Sequence, residues 1–185
     1  MKLYDKEFVK RLTKADKTAQ KQLFEQLYAP MFRICYRYIA HRHEAEDCTM
    51  KGFLKVFQQV GKFEYENPES LFWWVRKIMV NESLMTLRKK HNLYLVPQEE
   101  VTDVGIEAHV WSTLHAEDIN KMVMQLPAGY RTVFCLHVIE GYGHKEIAEM
   151  LGIAESTSKT QLINAKARLK KILTQMNLSY GNVGR

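Results

Sequence analysis

Apolar residues recur at three- and four-residue steps along most of the chain, the period of helices that bury one stripe. From Asp5 to about Lys14 the pattern predicts a short amphipathic helix. Asp16 or Thr18 is placed to cap a second, which runs to about Arg42 through Leu23, Phe24, Leu27, Tyr28, Met31, Ile34, Cys35 and Tyr38. Pro30 interrupts that run and predicts a kink or a short break near Ala29, because proline removes a helical hydrogen bond and crowds the preceding turn. A third helix is expected over Glu44 to Val60, with Glu44, Glu46 and Asp47 in its first turn, where carboxylates suit the positive helix end. Phe53, Leu54, Val56, Phe57 and Val60 exceed what one inward stripe needs, so this helix is either covered on two sides or keeps a face for a partner.

Gly61 to Ser70 (GKFEYENPES) reads as a loop whose rings, Phe63 and Tyr65, must pack or stack on something. A fourth helix is predicted from Glu69 to Lys90, with Leu71, Trp74, Val75, Ile78, Glu82 and Met85 inward, which makes Trp74 a core residue. The neighbouring face carries Trp73, Arg76, Lys77 and Val80. Rings interleaved with cations beside an aromatic loop suit single-stranded nucleic acid, because bases stack on rings while cations hold the backbone. From Asn92 to Thr113 the period dissolves among Pro97, Gly105 and scattered acids, as in a linker, and it resumes from His115 to Gln125. The expectation is an all-α fold of two small helical domains joined by a flexible linker: domains over 1–91 and 114–176, a linker over 92–113 and a frayed tail over 177–185.

The stretch from Leu126 to Leu173 has the proportions of a helix-turn-helix: a short helix from Lys145 to Leu151, a tight turn at Gly152-Ile153, then a long basic helix. Gly152 falls where the turn favours a left-handed backbone, and Ala148 where two crossing helices leave little room. Ile147, Leu151 and Ile153 supply a small core, and Leu162, Ala165, Leu169 and Ile172 make the inward stripe of the last helix. The opposite face is left to Lys159, Ile163, Asn164, Lys166 and Lys170. Lys159, Lys166, Arg168, Lys170 and Lys171 stand against Glu155 alone, and a helix so charged is suited to a DNA major groove. Ser156, Ser158, Lys159, Gln161 and Asn164 are placed to reach base edges, with the later cations near phosphates.

A formal charge of +6 over 185 residues favours an acidic partner such as nucleic acid. The charged start (MKLYDKEFVK) does not read as a signal peptide and no apolar run approaches the ~20 residues of a membrane span, so a cytoplasmic location is expected. Cys35, Cys48 and Cys135, far apart and each in an apolar helical pattern, read as reduced core thiols. His41 and His43 precede acids but lack further ligands at metal spacing, and no phosphate loop or nucleophile with motif support stands out. No metal, cofactor, small-molecule substrate or enzymatic activity is expected.

These pieces, HEAEDCTMKGFLKVF (43 to 57), Lys62-Phe63, LFWWVRKIMVNESLMTLRKK (71 to 90), LPAGYRTVFCL (126 to 136) and EGYGHKEIAEMLGIAESTSKTQL (140 to 162), stand in order around an irregular linker. In that arrangement the chain resembles bacterial RNA polymerase sigma factors of the extracytoplasmic-function class, which keep the second and fourth conserved regions. The resemblance implies that Glu46, Asp47, Met50, Phe53, Leu54 and Phe57 dock on the clamp helices of the polymerase largest subunit. It implies that Phe63, Tyr65, Trp73, Arg76, Lys77 and Asn81 contact the −10 element, with a flipped base captured near Phe63 and Asn81. It makes the helix-turn-helix the −35 reader, through Ser156, Thr157, Ser158, Lys159, Gln161, Asn164 and Lys166. Implied partners are core polymerase, with its clamp helices and flap, promoter DNA and an anti-sigma protein. Met50 and Lys51 stand where relatives commonly carry Gln and an acid, Met85 where they often carry Asp, and Ala154 where a Ser usually caps the recognition helix. The rival readings are a dimeric regulator that binds a two-fold site without polymerase, a hydrolase built on His41, His43 and Asp47, and a helical adaptor with no DNA role.

Overall fold

The structure, a computed structural model, describes residues 4–89 and 116–181, and the chain divides into two compact units, Met1–Lys89 and Lys90–Arg185. The expected linker over 92–113 lies outside the described residues. Every regular element among the described residues is helical. None of these helices is long and apolar enough to cross a membrane.

In the first unit, α1 (Lys6–Thr13) and α2 (Lys17–Ile39) start where short acids close the helix end. The Asp5 carboxylate accepts from the Phe8 amide at 2.7 Å and Asp16 from the Ala19 amide at 2.9 Å. The Arg11 guanidinium, which donates to Asp16 at 3.0 Å, holds that carboxyl below its ordinary range. Pro30 neither breaks nor ends α2, since the α-helix is continuous through it, so of the kink and the short break that the sequence allowed the break is not found. Leu27, Met31 and Ile34 are buried on either side, so tertiary packing outweighs the single lost backbone bond. The helix instead stops at Ala40, which turns left-handed (φ 57°) and donates its amide to the Tyr36 carbonyl.

Helices α3 (Arg42–Gln59) and α4 (Ser70–Lys89) pack against α2 and each other. Leu23, Met31, Cys35, Tyr38, Val56, Leu71, Val75 and Met79 form the core between them. Gly52 sets the approach of α3 to α4, because a Cβ there would meet the Met79 sulfur and lie 2.9 Å from its methyl group. Beside this core Lys55 pairs with Glu82, a buried carboxylate on α4. Cys35 and Cys48, distant in sequence, are neighbours here and share a hydrogen bond that lowers the Cys48 thiol. All three cysteines are buried and free.

Helix α4 is rotated relative to its sequence pattern. Val80, expected on the outer face, is buried, whereas Met85 is 43% exposed and Trp74 is only half-buried. The reason is that α4 meets α2 and α3 together, so its buried arc widens to take in Met79, Val80, Ser83, Leu84 and Leu87.

The second unit comprises α5 (Ala116–Met124), α6 (Ala128–Phe134), α7 (His144–Leu151) and α8 (Glu155–Gly181). Between α6 and α7 the helix widens into a π turn over Cys135–Ile139, which no sequence period announced. The buried Arg131 guanidinium donates to the Leu126 carbonyl at 2.7 Å, close to the end of α5. Gly152 adopts φ 68° as its position demands, and the Ile153 amide donates to the Ala148 carbonyl. Ala148 is half-buried, while Ile147 and Leu151 are buried in the core of this unit. Leu162, Ala165, Leu169 and Ile172 form the expected inward stripe of α8. That helix continues to Gly181, into the stretch where a frayed tail was expected.

Replacing Gly52 with valine forces Met79 to move within a closed core. The variant is expected to lose about 1–3 kcal/mol of stability, read as a lower urea midpoint at unchanged slope.

Candidate nucleic-acid interface

The loop after α3 is held in shape by short contacts. The Asn67 side-chain oxygen accepts from the Glu69 and Ser70 amides at 2.9 and 3.0 Å, and Ser70 donates its hydroxyl back to the Asn67 carbonyl. From the start of the chain the Tyr4 amide donates to the Pro68 carbonyl at 3.0 Å, with the Tyr4 ring buried. So pinned, the loop sets Phe63 against Trp74, ring centroids 5.2 Å apart and tilted by 47°. Together with Trp73, Lys62, Glu64 and Glu66 these rings line a cavity of about 410 Å³.

Trp73 is 50% exposed and Arg76 lies over its ring at 5.2 Å, a cation–π contact. The cavity presents ring faces at its wall and charges of both signs at its rim, which suits a flat polar group such as a nucleobase. Trp74, expected in the core, is thus a wall of this cavity, and only the fold could reveal it because the loop and the first turn of α4 separate it from Phe63. Tyr65 is half-buried in the same loop and does not line the cavity. Trp73, Lys77 and Asn81 follow one another at four-residue steps, so they form an exposed stripe that leads along α4 away from the cavity, and Asn81, expected with Phe63 at the flipped base, does not line that cavity.

On α3 the surplus of apolar residues divides. Phe53, expected at a docking surface, is only 2% exposed and packs edge-on against Phe24 at 4.9 Å, which removes it from any such surface. Leu54 is 59% exposed and Met50 48% exposed, and with Asp47 and the half-buried Phe57 they make one outward stripe at three- and four-residue steps. Glu46 flanks that stripe. Its carboxylate accepts from Arg42 at 3.0 Å and lies 3.5 Å from a His43 ring nitrogen, and Arg42 above all holds it below the ordinary carboxylate range.

On α8 Ser156, Lys159, Ile163, Lys166 and Lys170 share one accessible face, while Thr157 and Gln161 lie on a half-buried flank. Lys159 pairs with Glu155 at 2.7 Å. Two residues expected to reach DNA do not. Ser158 is fully buried, its hydroxyl 2.9 Å from the Nδ1 of His144. Asn164 is 4% exposed and donates its amide to the Tyr130 hydroxyl at 3.2 Å. Both are polar groups within the core stripe, where burial requires a hydrogen-bond partner, and nothing in the spacing of α8 alone names that partner.

The comparisons with known proteins follow the same division. Residues 23–92 match the family model for Sigma-70 region 2, and residues 116–169 that for Sigma-70, region 4. The ECF RNA polymerase sigma factor SigW of Bacillus subtilis (strain 168) is 26% identical over 189 residues, covering 95% of this chain and all of the relative. The ECF RNA polymerase sigma factor SigM of Mycobacterium tuberculosis (strain ATCC 25618 / H37Rv) is 28% identical over 173 residues, 94% of this chain and 86% of that one. Among solved structures, the sigma factor RpoE in complex with the anti-sigma factor NepR from Bartonella quintana is 21% identical, with a TM-score of 0.49 over 83% of this chain and 96% of that one.

The division of α8 into inner and outer polar residues is measurable. Asn164→Ala is expected to lower the stability of the second unit by about 1–2 kcal/mol, whereas Lys166→Ala stays within about 0.5 kcal/mol, both read by chemical denaturation.

Proposed function

The chain belongs to the extracytoplasmic-function class of the sigma-70 family, factors that direct promoter-specific transcription with RNA polymerase, and on that premise we propose how its two units divide the promoter. The first unit docks on core polymerase through the outward stripe of α3, Asp47, Met50, Leu54 and Phe57 flanked by Glu46, against the clamp helices of the largest subunit. It then traps a flipped −10 base in the cavity at Phe63. Removing a base from the stack costs a few kcal/mol, and stacking on an aromatic side chain returns about 1–3 kcal/mol per base. Trp73 and Trp74 extend the ring surface, and Tyr65 lies in the loop beside it. Arg76, Lys77 and Asn81 lie along the path of the displaced strand. The single observation that carries this reading is the ring-walled cavity within the residues that match region 2.

The second unit reads the −35 element as duplex. The first turns of α8 enter the major groove, where Ser156, Thr157 and Gln161 reach toward base edges. Lys159 and Lys166 lie where phosphates would pass, and such contacts set register and supply affinity without sequence information. The protein carries out no chemistry of its own and needs no cofactor or metal in this reading. It acts in the cytoplasm with core polymerase, whose flap holds the second unit. An anti-sigma protein competing for the apolar stripe of α3 is the natural means of holding it inactive, since exposed Leu54 and Met50 favour cover by a partner.

Transcription in vitro with bacterial core polymerase on a genomic library tests the reading. The native chain is expected to give specific starts from asymmetric two-part promoters. Phe63→Ala should reduce open complexes by on the order of 10-fold or more, as loss of one stacked base implies. Failure to associate with core polymerase, tight unaided binding to a palindrome, or starts indifferent to Phe63→Ala would each overturn it.

A further inference from the structure

The buried Ser158 hydroxyl on α8 has its partner on another helix, and that partner belongs to a pair. His144, the first residue of α7, places Nδ1 2.9 Å from the Ser158 oxygen. Its ring stacks on His137 of the π turn with centroids 4.4 Å apart and planes within 11°. His137 in turn donates Nδ1–H to the Tyr142 carbonyl at 2.9 Å. Two imidazoles therefore join three segments: the π turn, the start of α7 and the first turns of α8.

We propose that His144, stacked on His137, is a proton-operated latch that positions the recognition helix: its neutral ring holds Ser158, and its protonation at mildly acidic pH releases the first turns of α8. His144 is a positioning residue in this scheme and touches no ligand. The charges around it explain the sensitivity. From α8 Lys159 and Lys166 oppose a positive His144 and Glu155 alone favours it; from the π turn a charged His137 opposes it. On its own helix Lys145 adds a further cation, while the Glu146 carboxylate is engaged with the Gly143 amide at 2.7 Å.

Burial above all, then His137 and Lys159, holds His144 below its ordinary value. The closed latch thus binds fewer protons than the open one. Its stability is complete above about pH 6.5, the ordinary histidine value, and declines as pH falls below that. The two states differ by local opening of a single helix end, a scale on which one ionisation decides the balance.

The latch rests on the geometry of the second unit alone, and its consequence for transcription rests on the −35 reading proposed above. The test uses the full chain, with histidine ring signals followed by NMR and amide exchange measured over residues 158–162, whose amides are the first of α8 with an acceptor in the helix, between about pH 7.5 and 5.5. His144 is expected to titrate below the ordinary histidine range. Protection of these amides, corrected for intrinsic exchange, should fall at the acid end by a factor that stays below about 10, the limit that linkage sets for one histidine with an ordinary value of about 6.5.

His144→Asn keeps a hydrogen-bonding group near Ser158 without titrating, and should retain protection at both ends of the range. His144→Ala should lack protection throughout. If neither variant folds, His137→Phe, which keeps a flat ring without its charge, must show a weakened acid response. Acid-insensitive protection in the native chain, or an undiminished acid response in His144→Asn or His137→Phe, overturns the latch. If exchange behaves as expected but promoter use by the holoenzyme ignores the same pH change, the latch stands and the −35 role of α8 is at fault.

Discussion

Helix α8 buries one side in its own unit and leaves the other accessible, and its rotation about its axis is what keeps those sides apart. Two hydrogen bonds to buried side chains of α8 fix that rotation together with the apolar stripe. Ser158 is held from α7 by His144, and Asn164 is held from α6 by Tyr130. An apolar stripe tolerates small rotations at little cost, whereas a buried polar atom that loses its partner costs about 1–3 kcal/mol. The tethers therefore convert a smooth surface into a defined one, with Lys159, Ile163 and Lys166 outward.

The same division governs the first unit. Helix α3 turns Phe53 and Val56 inward against α2 and α4, and that rotation presents Met50 and Leu54 to solvent. Gly52 lets α3 lie close enough to α4 for Met79 to fill the gap. Lys55 and Glu82 pair between the same two helices, and a buried carboxylate without its cation would be costly, which resists sliding of one helix along the other. With α4 so fixed, Trp74 meets the loop, and the loop is itself tied down by Tyr4 and Asn67. A cavity for a flat group arises from rigid surroundings, which keeps the ordering cost of binding small.

At the cavity Trp73 is exposed while Phe63 and Trp74 are half-buried against each other, and on α8 Lys159 and Lys166 are exposed while Ser158 and Asn164 are turned inward. Each surface alone offers a few contacts of modest strength. Joint use of two such surfaces by a larger assembly raises effective affinity without new contacts, provided the geometry permits both at once.

The amino-acid sequence alone determined the helical class, the division into two units around an irregular stretch, the left-handed turn at Gly152 and the apolar stripe of α8. It did so because helical period, capping acids and glycine are local signals, legible from spacing within one element. Motif order also carried the family resemblance, since those pieces are local too. Phe63, Trp73, Lys159 and Lys166 could be picked from composition and position, and each lies on an accessible or half-accessible surface. Only the tertiary structure decided that Pro30 is carried within an unbroken helix, that Phe53, Ser158 and Asn164 face inward and that Trp74 walls a cavity. These outcomes depend on partners distant in the chain: Phe24 for Phe53, His144 for Ser158, Tyr130 for Asn164 and Phe63 for Trp74. A helix's own period says which residues share a face, but the partners packed against it choose which face is buried.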